Sequence, residues 1–220
     1  MADMRGPFDA KKIIQFLHTY PITTFCSPPT VYRPLVLPES AKYLQAHPPK
    51  CMEHCVGAGE PLNPEVIRQW KHLTGLDICD GYGQVSFPPF KCVNVDSKTE
   101  TILVCGNFDG FPVKAGSMGK PSPGIELAIL NSENERVIDE EGEISVLITP
   151  TSENLIFKGY RKNVGGKTEL IRPERVDKQG RRWYSTGDRA TMDHDGYFWY
   201  VGRDDDVLIT PQSFILANSR

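Results

Sequence analysis

The chain has 220 residues, of which 39% are hydrophobic and 24% are charged, and its formal net charge is −3. This balance fits a soluble globular protein and argues against a general nucleic-acid binder, which would be basic. No apolar run approaches the ~20 residues of a membrane span. Residues 1–7 contain neither an apolar core nor an Arg-rich amphipathic stretch, so we expect no signal or transit peptide.

The first half of the chain alternates between helix and strand signals. Asp9 is placed to cap the first helix, and Asn63-Pro64 joins a capping side chain to a proline at the first helical position. The predicted helices are Asp9–Thr19, a short one opening at Ser27-Pro28-Pro29, one within Glu39–Lys50, and Asn63–Gly75; the predicted strands are Ile22–Cys26, Met52–Val56 and Leu76–Cys79. This alternation predicts a parallel sheet with covering helices.

The second half, from about Gly106, is dominated by glycine, proline and short strands. The predicted strands are Glu126–Leu130, Glu143–Ile148, Trp183–Thr186 and Tyr197–Val201. Asp195-Gly196 predicts a hairpin turn; a calcium loop starting at Asp193 is disfavoured because a third ligand and the terminal Glu are missing. The fold class is therefore α/β, with a parallel-sheet α/β subdomain followed by a small antiparallel β lobe.

The cysteines are scattered along the chain, and several lie in predicted strands. They are Cys26, Cys51, Cys55, Cys79, Cys92 and Cys105. This pattern favours free thiols in a reducing compartment. Cys51 and Cys55 with His54 between them suggest zinc, but the spacing is unusual and no second pair accompanies them, so buried strand cysteines are the preferred interpretation.

The segment Asp80-Gly81-Tyr82-Gly83-Gln84 follows the third predicted strand. Its two glycines predict a turn and allow the main chain to approach a ligand closely, while the tyrosine offers a flat apolar face with a hydroxyl. Open α/β sheets bind ligands at the carboxyl ends of their strands. Taken alone, the segment is also consistent with an ordinary turn.

Three further segments accompany this one in a fixed order. They are Gly57-Ala58-Gly59-Glu60-Pro61-Leu62, Tyr184-Ser185-Thr186-Gly187-Asp188 and Gly202-Arg203-Asp204-Asp205-Asp206. Together the four segments resemble the adenylate-forming superfamily, and residues 25–33 and 116–121 are similar to its medium-chain acyl-CoA synthetase branch. The resemblance runs from about residue 7 to residue 207 and implies an incomplete N-terminal-domain fold of an adenylate-forming enzyme.

In activity, the resemblance implies ATP-dependent ligation of a medium-chain fatty acid to coenzyme A through an acyl-adenylate, in the mitochondrial matrix. The implied cofactors are ATP, Mg²⁺ and coenzyme A, and the implied partner is a carboxylic acid substrate. Catalysis of this kind rests mainly on positioning and electrostatics. The competing hypothesis is a non-catalytic nucleotide-binding or interaction module.

The resemblance also assigns site residues, none of them as a catalytic residue. The adenine nucleotide would contact Gly59, Glu60, Pro61, Asp80, Gly81, Tyr82, Gly83, Gln84, Thr99, Asp188 and Arg203; Glu100 would hold Mg²⁺; Phe25, Pro29 and Tyr32 would line the acyl pocket; Asp204 and Asp205 would form the hinge. An ionised Asp188 only accepts hydrogen bonds and suits two ribose hydroxyls, whereas Arg203 offers a planar fork of donors. The structural alternatives are a loop without ligand, turn carboxylates, an arginine paired with its neighbouring aspartates, and aromatic core.

The chain departs from the family pattern in three places. It contains no Ser/Thr/Gly-rich phosphate loop ending in Pro-Lys, and residues 208–220 diverge from the family. The family reads Tyr-Gly-Gln-Thr-Glu, so residues 85–98 look inserted before Thr99 and Glu100 and, with Pro88-Pro89 among them, are expected to form a bulging loop. We therefore predict three segments, 1–106, 107–207 and 208–220, in a chain that is inactive on its own.

Overall fold

The computed structural model describes residues 7–86, 98–99, 101, 103–108, 110–164, 167–204, 207–210 and 213–216. The chain forms two compact units: unit 1 contains Met1–Tyr82 and Gly106–Gly119, and unit 2 contains Gly83–Cys105 and Lys120–Arg220. No helix within the described ranges is both long and apolar enough to cross a membrane. The predicted segment boundaries at residues 106 and 207 stay a prediction.

Unit 1 is built from helices that alternate with parallel strands. Its elements are α1 (Ala10–Thr19), β1 (Thr24–Ser27), α2 (Pro29–Leu35), α3 (Pro38–Ala46), β2 (His54–Ala58), α4 (Pro64–Thr74) and β3 (Ile78–Tyr82). Strand β2 lies between β1 and β3 and is parallel to both. The predicted parallel α/β arrangement is confirmed.

The ends of the helices follow from local chemistry. The Asp9 side chain accepts hydrogen bonds from the amides of Lys11 and Lys12, at 2.9 and 3.3 Å, and so begins α1. Asn63 accepts from the Glu65 amide at 2.8 Å, and α4 ends at Gly75, whose φ of 79° is in the left-handed region that favours glycine. The predicted starts of both helices are confirmed.

The strands, in contrast, run further along the chain than predicted. Strands β1 and β2 both begin two residues later than expected, and β3 continues to Tyr82 instead of ending at Cys79. The prediction of a turn at Gly81 is therefore wrong, and neither Gly81 nor Gly83 has a positive φ. The physical reason is the ladder, since Gly81 pairs with Ala58 of β2 and the partner strand carries β3 onward.

The core of unit 1 is centred on two buried aromatic rings. Tyr32 and Trp70 are fully buried and pack edge to face, with ring centroids 5.1 Å apart. The Trp70 indole donates to the Cys55 sulfur at 3.3 Å, and burial raises the pKa of that thiol to about 11. Cys55 is thus a protonated core residue, as expected for a strand cysteine.

Unit 2 is mainly antiparallel. The remaining strands along the chain are β4 (Val85–Ser86), β5 (Lys98–Thr99), β6 (Cys105–Gly106), β7 (Lys120–Pro121), β8 (Leu127–Leu130), β9 (Arg136–Val137), β10 (Gly142–Leu147), β11 (Tyr160–Val164), β12 (Lys167–Ile171), β13 (Glu174–Val176), β14 (Arg182–Met192), β15 (Phe198–Arg203), β16 (Val207–Thr210) and β17 (Ser213–Leu216). The largest sheet has the order β13-β14-β10-β8-β9, and β15 also pairs with β14. The predicted antiparallel lobe is confirmed.

The turn between β14 and β15 is the predicted hairpin. Asp193 accepts from the amides of Asp195 and Tyr197 at 3.0 and 2.9 Å, and Gly196 has a φ of 80°. The Asp193 carboxylate is therefore engaged in closing the turn, which agrees with the hairpin interpretation over a calcium loop.

The two ends of the predicted insertion meet in a short ladder. Val85 is paired with Thr99, and Ser86 with Lys98, in antiparallel register. The expected bulging loop, with its Pro88-Pro89 pair, lies outside the described residues. Beyond residue 207, β16 and β17 form an antiparallel pair.

Candidate nucleotide site

A bulge in β14 presents Asp188. On one side of β14, Glu143 of β10 pairs with Arg189 and Ser145 pairs with Ser185, so three residues, 186–188, face the single residue between Glu143 and Ser145. On the other side, β13 pairs with residues 182–184 and β15 with residues 188–192. Residues 185–187 therefore lie where one neighbouring strand ends and the next begins, and side chains supply hydrogen bonds that a regular ladder would provide.

Gln84, at the start of unit 2, holds the carboxylate of Asp188 by hydrogen bonding. Its Nε2 donates to Asp188 Oδ2 and to the carbonyl oxygen of Thr186, both at 2.7 Å. Its Oε1 accepts from the hydroxyl of Tyr184 at 3.0 Å. Both ends of the amide are therefore engaged, and Gln84 orients Asp188, which is only 5% exposed.

Arg203 lies directly opposite Asp188 in the β14–β15 ladder. Directly opposed residues of an antiparallel pair are close neighbours on one face of the sheet. The next residue, Asp204, donates its amide to the carbonyl oxygen of Gly187 at 2.9 Å and accepts from Arg189 at 3.1 Å. The first predicted hinge residue is thus tied to the bulge; Asp205 lies outside the described residues.

Six of the other predicted nucleotide residues are in unit 1, beyond or within the carboxyl-terminal ends of β2 and β3, whereas Gly83 and Thr99 belong to unit 2. Gly59 has a φ of 95°, which favours glycine, and Glu60 lies 3.7 Å from Arg33 in a partly exposed ion pair. Together with Pro61 they form the connection from β2 to α4. The location agrees with a ligand loop at the carboxyl edge of parallel strands, and the contact with adenine stays a prediction.

Asp80 is a buried acidic residue of unit 1, with 8% of its surface exposed. Burial raises its pKa to about 6, partly offset by the hydrogen bond that it accepts from the Gly81 amide at 2.9 Å. Its carbonyl oxygen accepts from the amide of Asn107 at 3.0 Å. The pKa of Asp80 is therefore closer to neutrality than that of an ordinary aspartate, and the residue lies two positions before Tyr82 in β3.

After the predicted insertion, Thr101 ties the chain back to Gln84 within unit 2. The Gln84 amide donates to Thr101 Oγ1 at 2.8 Å, and the Thr101 amide donates back to the Gln84 carbonyl oxygen at 3.2 Å. Thr99 lies one step outward, opposite Val85. Its side chain and all of Glu100 lie outside what the structure describes, so their phosphate and magnesium contacts stay predictions.

Comparison with known proteins decides the family. The model of the family described as AMP-binding enzyme matches residues 2–161. The chain is a member of the AMP-binding enzyme family.

Curated relatives of this AMP-binding enzyme family member include mitochondrial acyl-coenzyme A synthetases. The rat (Rattus norvegicus) protein ACSM3 is 43% identical over 205 residues, which are 92% of this chain and 31% of the relative. Human (Homo sapiens) ACSM4 is 42% identical over 92% of this chain and 31% of its own length. The chain thus spans about a third of the length of the curated relatives it matches.

Solved structures of an acyl-CoA synthetase and of an anthranilate CoA ligase have a similar fold. The acyl-CoA synthetase of Brucella canis has a TM-score of 0.65 at 30% identity, covering 96% of this chain and 34% of that structure. The anthranilate CoA ligase AuaEII, solved with anthranoyl-AMP, has a TM-score of 0.64 at 26% identity, covering 94% and 34%. The prediction that the chain has the fold of part of an adenylate-forming enzyme is confirmed.

The residues predicted for the acyl pocket of the AMP-binding fold lie in or against the core of unit 1. Tyr32 is fully buried and donates its hydroxyl to the carbonyl oxygens of Phe25 and Val56, at 2.9 and 3.2 Å. Burial is the main cause that raises the pKa of the Tyr32 phenol above its ordinary value. Pro29 is also buried, at the start of α2. These contacts agree with the alternative of plain aromatic core for Tyr32, and the acyl role stays a prediction.

No individual role was predicted from the sequence for three residues that shape this site, although Tyr184 stands in one of the four family segments. Tyr184 and Thr101 both bind Gln84, and Glu143 binds the bulge from β10. One sequence signal was available for Glu143, because it is an acidic residue at the start of a buried strand, in Gly142–Leu147. Across the described part of the chain, no cluster of three or more His, Cys, Asp or Glu is arranged to hold a metal ion.

Proposed function

We propose that this chain carries the nucleotide-recognition elements of an ATP-dependent medium-chain fatty acid–CoA ligase of mitochondria. The observation that carries the proposal is the Asp188 carboxylate, buried in a bulge of β14 and oriented by Gln84. The names of the relatives, which are mitochondrial acyl-coenzyme A synthetases, support the reaction class and the location.

In this proposal, Asp188 accepts hydrogen bonds from the ribose hydroxyls of the nucleotide. A carboxylate has about four acceptor positions, so the bond from Gln84 is compatible with binding a diol. Arg203, opposite Asp188 in the ladder, donates to ribose or phosphate oxygens. Because Gln84 and the bulge hold Asp188 before the ligand arrives, little ordering remains to be done on binding.

For unit 1, taken by itself, the family resemblance assigns adenine contacts to residues 59–61 and to the end of β3. Glu100 is the proposed ligand of Mg²⁺, which would offset phosphate charge when bound. Coenzyme A and the fatty acid complete the proposed reaction, in which the acid is first joined to AMP. No residue of this chain is assigned to the thiol.

The residues of this chain are proposed to bind nucleotide without completing ligation. The sequence contains no Ser/Thr/Gly-rich loop ending in Pro-Lys to hold the phosphates. Loss of one preorganised donor commonly lowers kcat by about a hundred- to a thousandfold. A non-catalytic nucleotide-binding or interaction role is therefore the second candidate for this chain alone.

Two measurements on the full chain test the proposal. Calorimetric titration compares AMP with 2′,3′-dideoxy-AMP, and we expect a preference of about tenfold or more for AMP, because one charged hydrogen bond contributes about 1.5–3 kcal/mol. Asp188→Ala should remove the preference, whereas Asp139→Ala, at an exposed aspartate of the same unit, should keep it. Equal binding of both nucleotides by the wild type would contradict the ribose role.

The second measurement follows exchange of radiolabelled pyrophosphate into ATP with butyrate or hexanoate present. We expect no exchange above a heat-killed control. Exchange above that control would show that the chain activates carboxylic acids by itself and would overturn the non-catalytic interpretation.

A further inference from the structure

Glu143 is a buried carboxylate that the proposed function does not use. It is 4% exposed, and its strand β10 is buried along almost its whole length. Burying a charge is costly unless the charge is paired and hydrogen-bonded. The contacts of its two oxygens therefore indicate what the residue does.

The two oxygens of Glu143 have separate partners. Oε1 accepts from the Ser185 hydroxyl at 2.7 Å and from the Gly187 amide at 2.8 Å. Oε2 lies 2.5 Å from Nη2 of Arg175, an ion pair that is not aligned as a hydrogen bond. One oxygen thus belongs to the bulge that carries Asp188, and the other belongs to an ion pair.

The Gly187 amide is the contact that matters for Asp188. Gly187 has a φ of 73°, the left-handed conformation that turns the chain within the bulge. Its amide donates to Glu143, and its carbonyl oxygen accepts from the Asp204 amide at 2.9 Å. Both backbone groups of the residue before Asp188 are therefore held in place.

The bulge is also held by its own threonine. The Thr186 hydroxyl donates to the Ile144 carbonyl oxygen at 2.7 Å and accepts from the Asp188 amide at 3.2 Å. The Gln84 side-chain amide donates to the Thr186 carbonyl oxygen. Glu143 is the only acidic side chain among these contacts to the backbone of residues 186–188 in the described part of the chain, and it reaches the bulge from the neighbouring strand.

We infer that Glu143 is a positioning residue: by binding the Gly187 amide and the Ser185 hydroxyl, it sets the conformation of the bulge in which Asp188 meets the ribose. The inference rests on the proposed function for its ligand, but the effect on the bulge is independent of any ligand. Glu143 belongs to β10, which pairs with β14 on the side opposite to β15. It therefore acts through Gly187 and Ser185 and does not touch the nucleotide.

Two substitutions separate positioning from the ion pair. Glu143→Gln removes the charge facing Arg175 but keeps a side-chain oxygen that can accept from Ser185 and Gly187. Glu143→Leu has a similar volume and removes both functions. Glu174→Leu is the matched control, because Glu174 forms ion pairs with Arg172 and Arg182 in the same unit without contacting the bulge.

The first readout is hydrogen exchange of the Gly187 amide, followed by NMR on the full chain. We expect protection in the wild type, in Glu143→Gln and in Glu174→Leu, and a loss of about tenfold or more in Glu143→Leu, because a hydrogen bond of this type contributes about one power of ten. Unchanged protection of Gly187 in Glu143→Leu would overturn the inference. A uniform loss of protection across unit 2 in that variant would show a general structural role and would also overturn it.

The second readout is the preference for AMP over 2′,3′-dideoxy-AMP. We expect Glu143→Gln to retain it within about threefold and Glu143→Leu to lose it, since displacement by about 1 Å already weakens positioned contacts strongly. Loss of the preference in Glu143→Gln alone would mean that charge matters and not acceptor geometry, which overturns the inference. If the wild type shows no preference while Gly187 still depends on residue 143, the proposed function fails and the positioning of the bulge is upheld.

Discussion

Deleting residues 85–98 is the sharpest perturbation that the structure suggests. In the wild type, Gln84 and Thr101 exchange two hydrogen bonds across the base of this segment. After the deletion, only Thr99 and Glu100 would separate them. The bond from the Thr101 amide to the Gln84 carbonyl oxygen, 3.2 Å in length, would then be the i to i+3 bond of an ordinary β-turn.

The magnitude follows from the length of the closed loop. The wild type has the 16 residues 85–100 between Gln84 and Thr101, and the deletion variant has two. Closing a loop becomes cheaper by about 0.6 kcal/mol for each halving of its length, so three halvings predict a gain of about 2 kcal/mol. The deletion also removes the short β4–β5 ladder, and the loss of its hydrogen bonds makes the gain in stability somewhat smaller.

The assay is urea unfolding of three variants. The deletion variant should unfold with a free energy equal to or up to about 2 kcal/mol above that of the wild type. Replacing residues 85–98 by 14 Gly and Ser residues keeps the loop length and is the matched control, for which we expect no gain. Thr101→Val should cost about 1 kcal/mol in every background, because the Gln84 amide loses its acceptor.

A deletion variant that is less stable than the wild type by more than about 1 kcal/mol would refute this reasoning. It would show that residues 85–98 contribute packing of their own and that the Gln84–Thr101 contact does not stand without them. The effect on chemistry is tested in a complete relative. Inserting residues 85–98 after its Gln should abolish pyrophosphate exchange if the insertion displaces the phosphate residues.

Three further predictions concern single residues. Burial alone would raise the pKa of Asp177, but hydrogen bonds from the Trp183 indole and from Arg181 lower it to about 2. The contribution of Asp177 to stability is therefore complete above about pH 4 and is lost as the pH falls through about 2. Asp177→Asn should flatten the dependence of the free energy of unfolding on pH in that window. Asp80 has a pKa of about 6, so its contribution is complete below about pH 4 and lost as the pH rises through about 6; Asp80→Asn should raise the free energy of unfolding at pH 7 by up to about 3 kcal/mol, with no gain at pH 4. Gln84→Glu replaces the Nε2 donor by a second carboxylate against Asp188 and should lower the free energy of unfolding at pH 7 by about 1–3 kcal/mol, whereas urea unfolding indistinguishable from that of the wild type would contradict the 2.7 Å contact.

The sequence was a good guide wherever a structural feature depends on neighbouring residues. The caps at Asp9 and Asn63 and the hairpin at Asp195-Gly196 formed as predicted, and the helix that was expected to end at Gly75 ends there. Each depends on contacts within about five residues, so the information is local. Strand ends were less predictable, because β3 continues to Tyr82 only through its register with β2.

The candidate site divides in the same way. The sequence by itself determined the family, through the order of its motifs, and it singled out Asp188, Gln84 and Arg203. Only the tertiary structure decided that the Gln84 amide holds Asp188, 104 positions later in the chain. It also decided that Tyr32 ties the core through its hydroxyl, and that Glu143 binds the bulge from a neighbouring strand. A motif records which residue types are present, but a buried polar side chain finds its partner only when strands distant in sequence pair, because burial is what makes an unpaired hydrogen-bonding group costly.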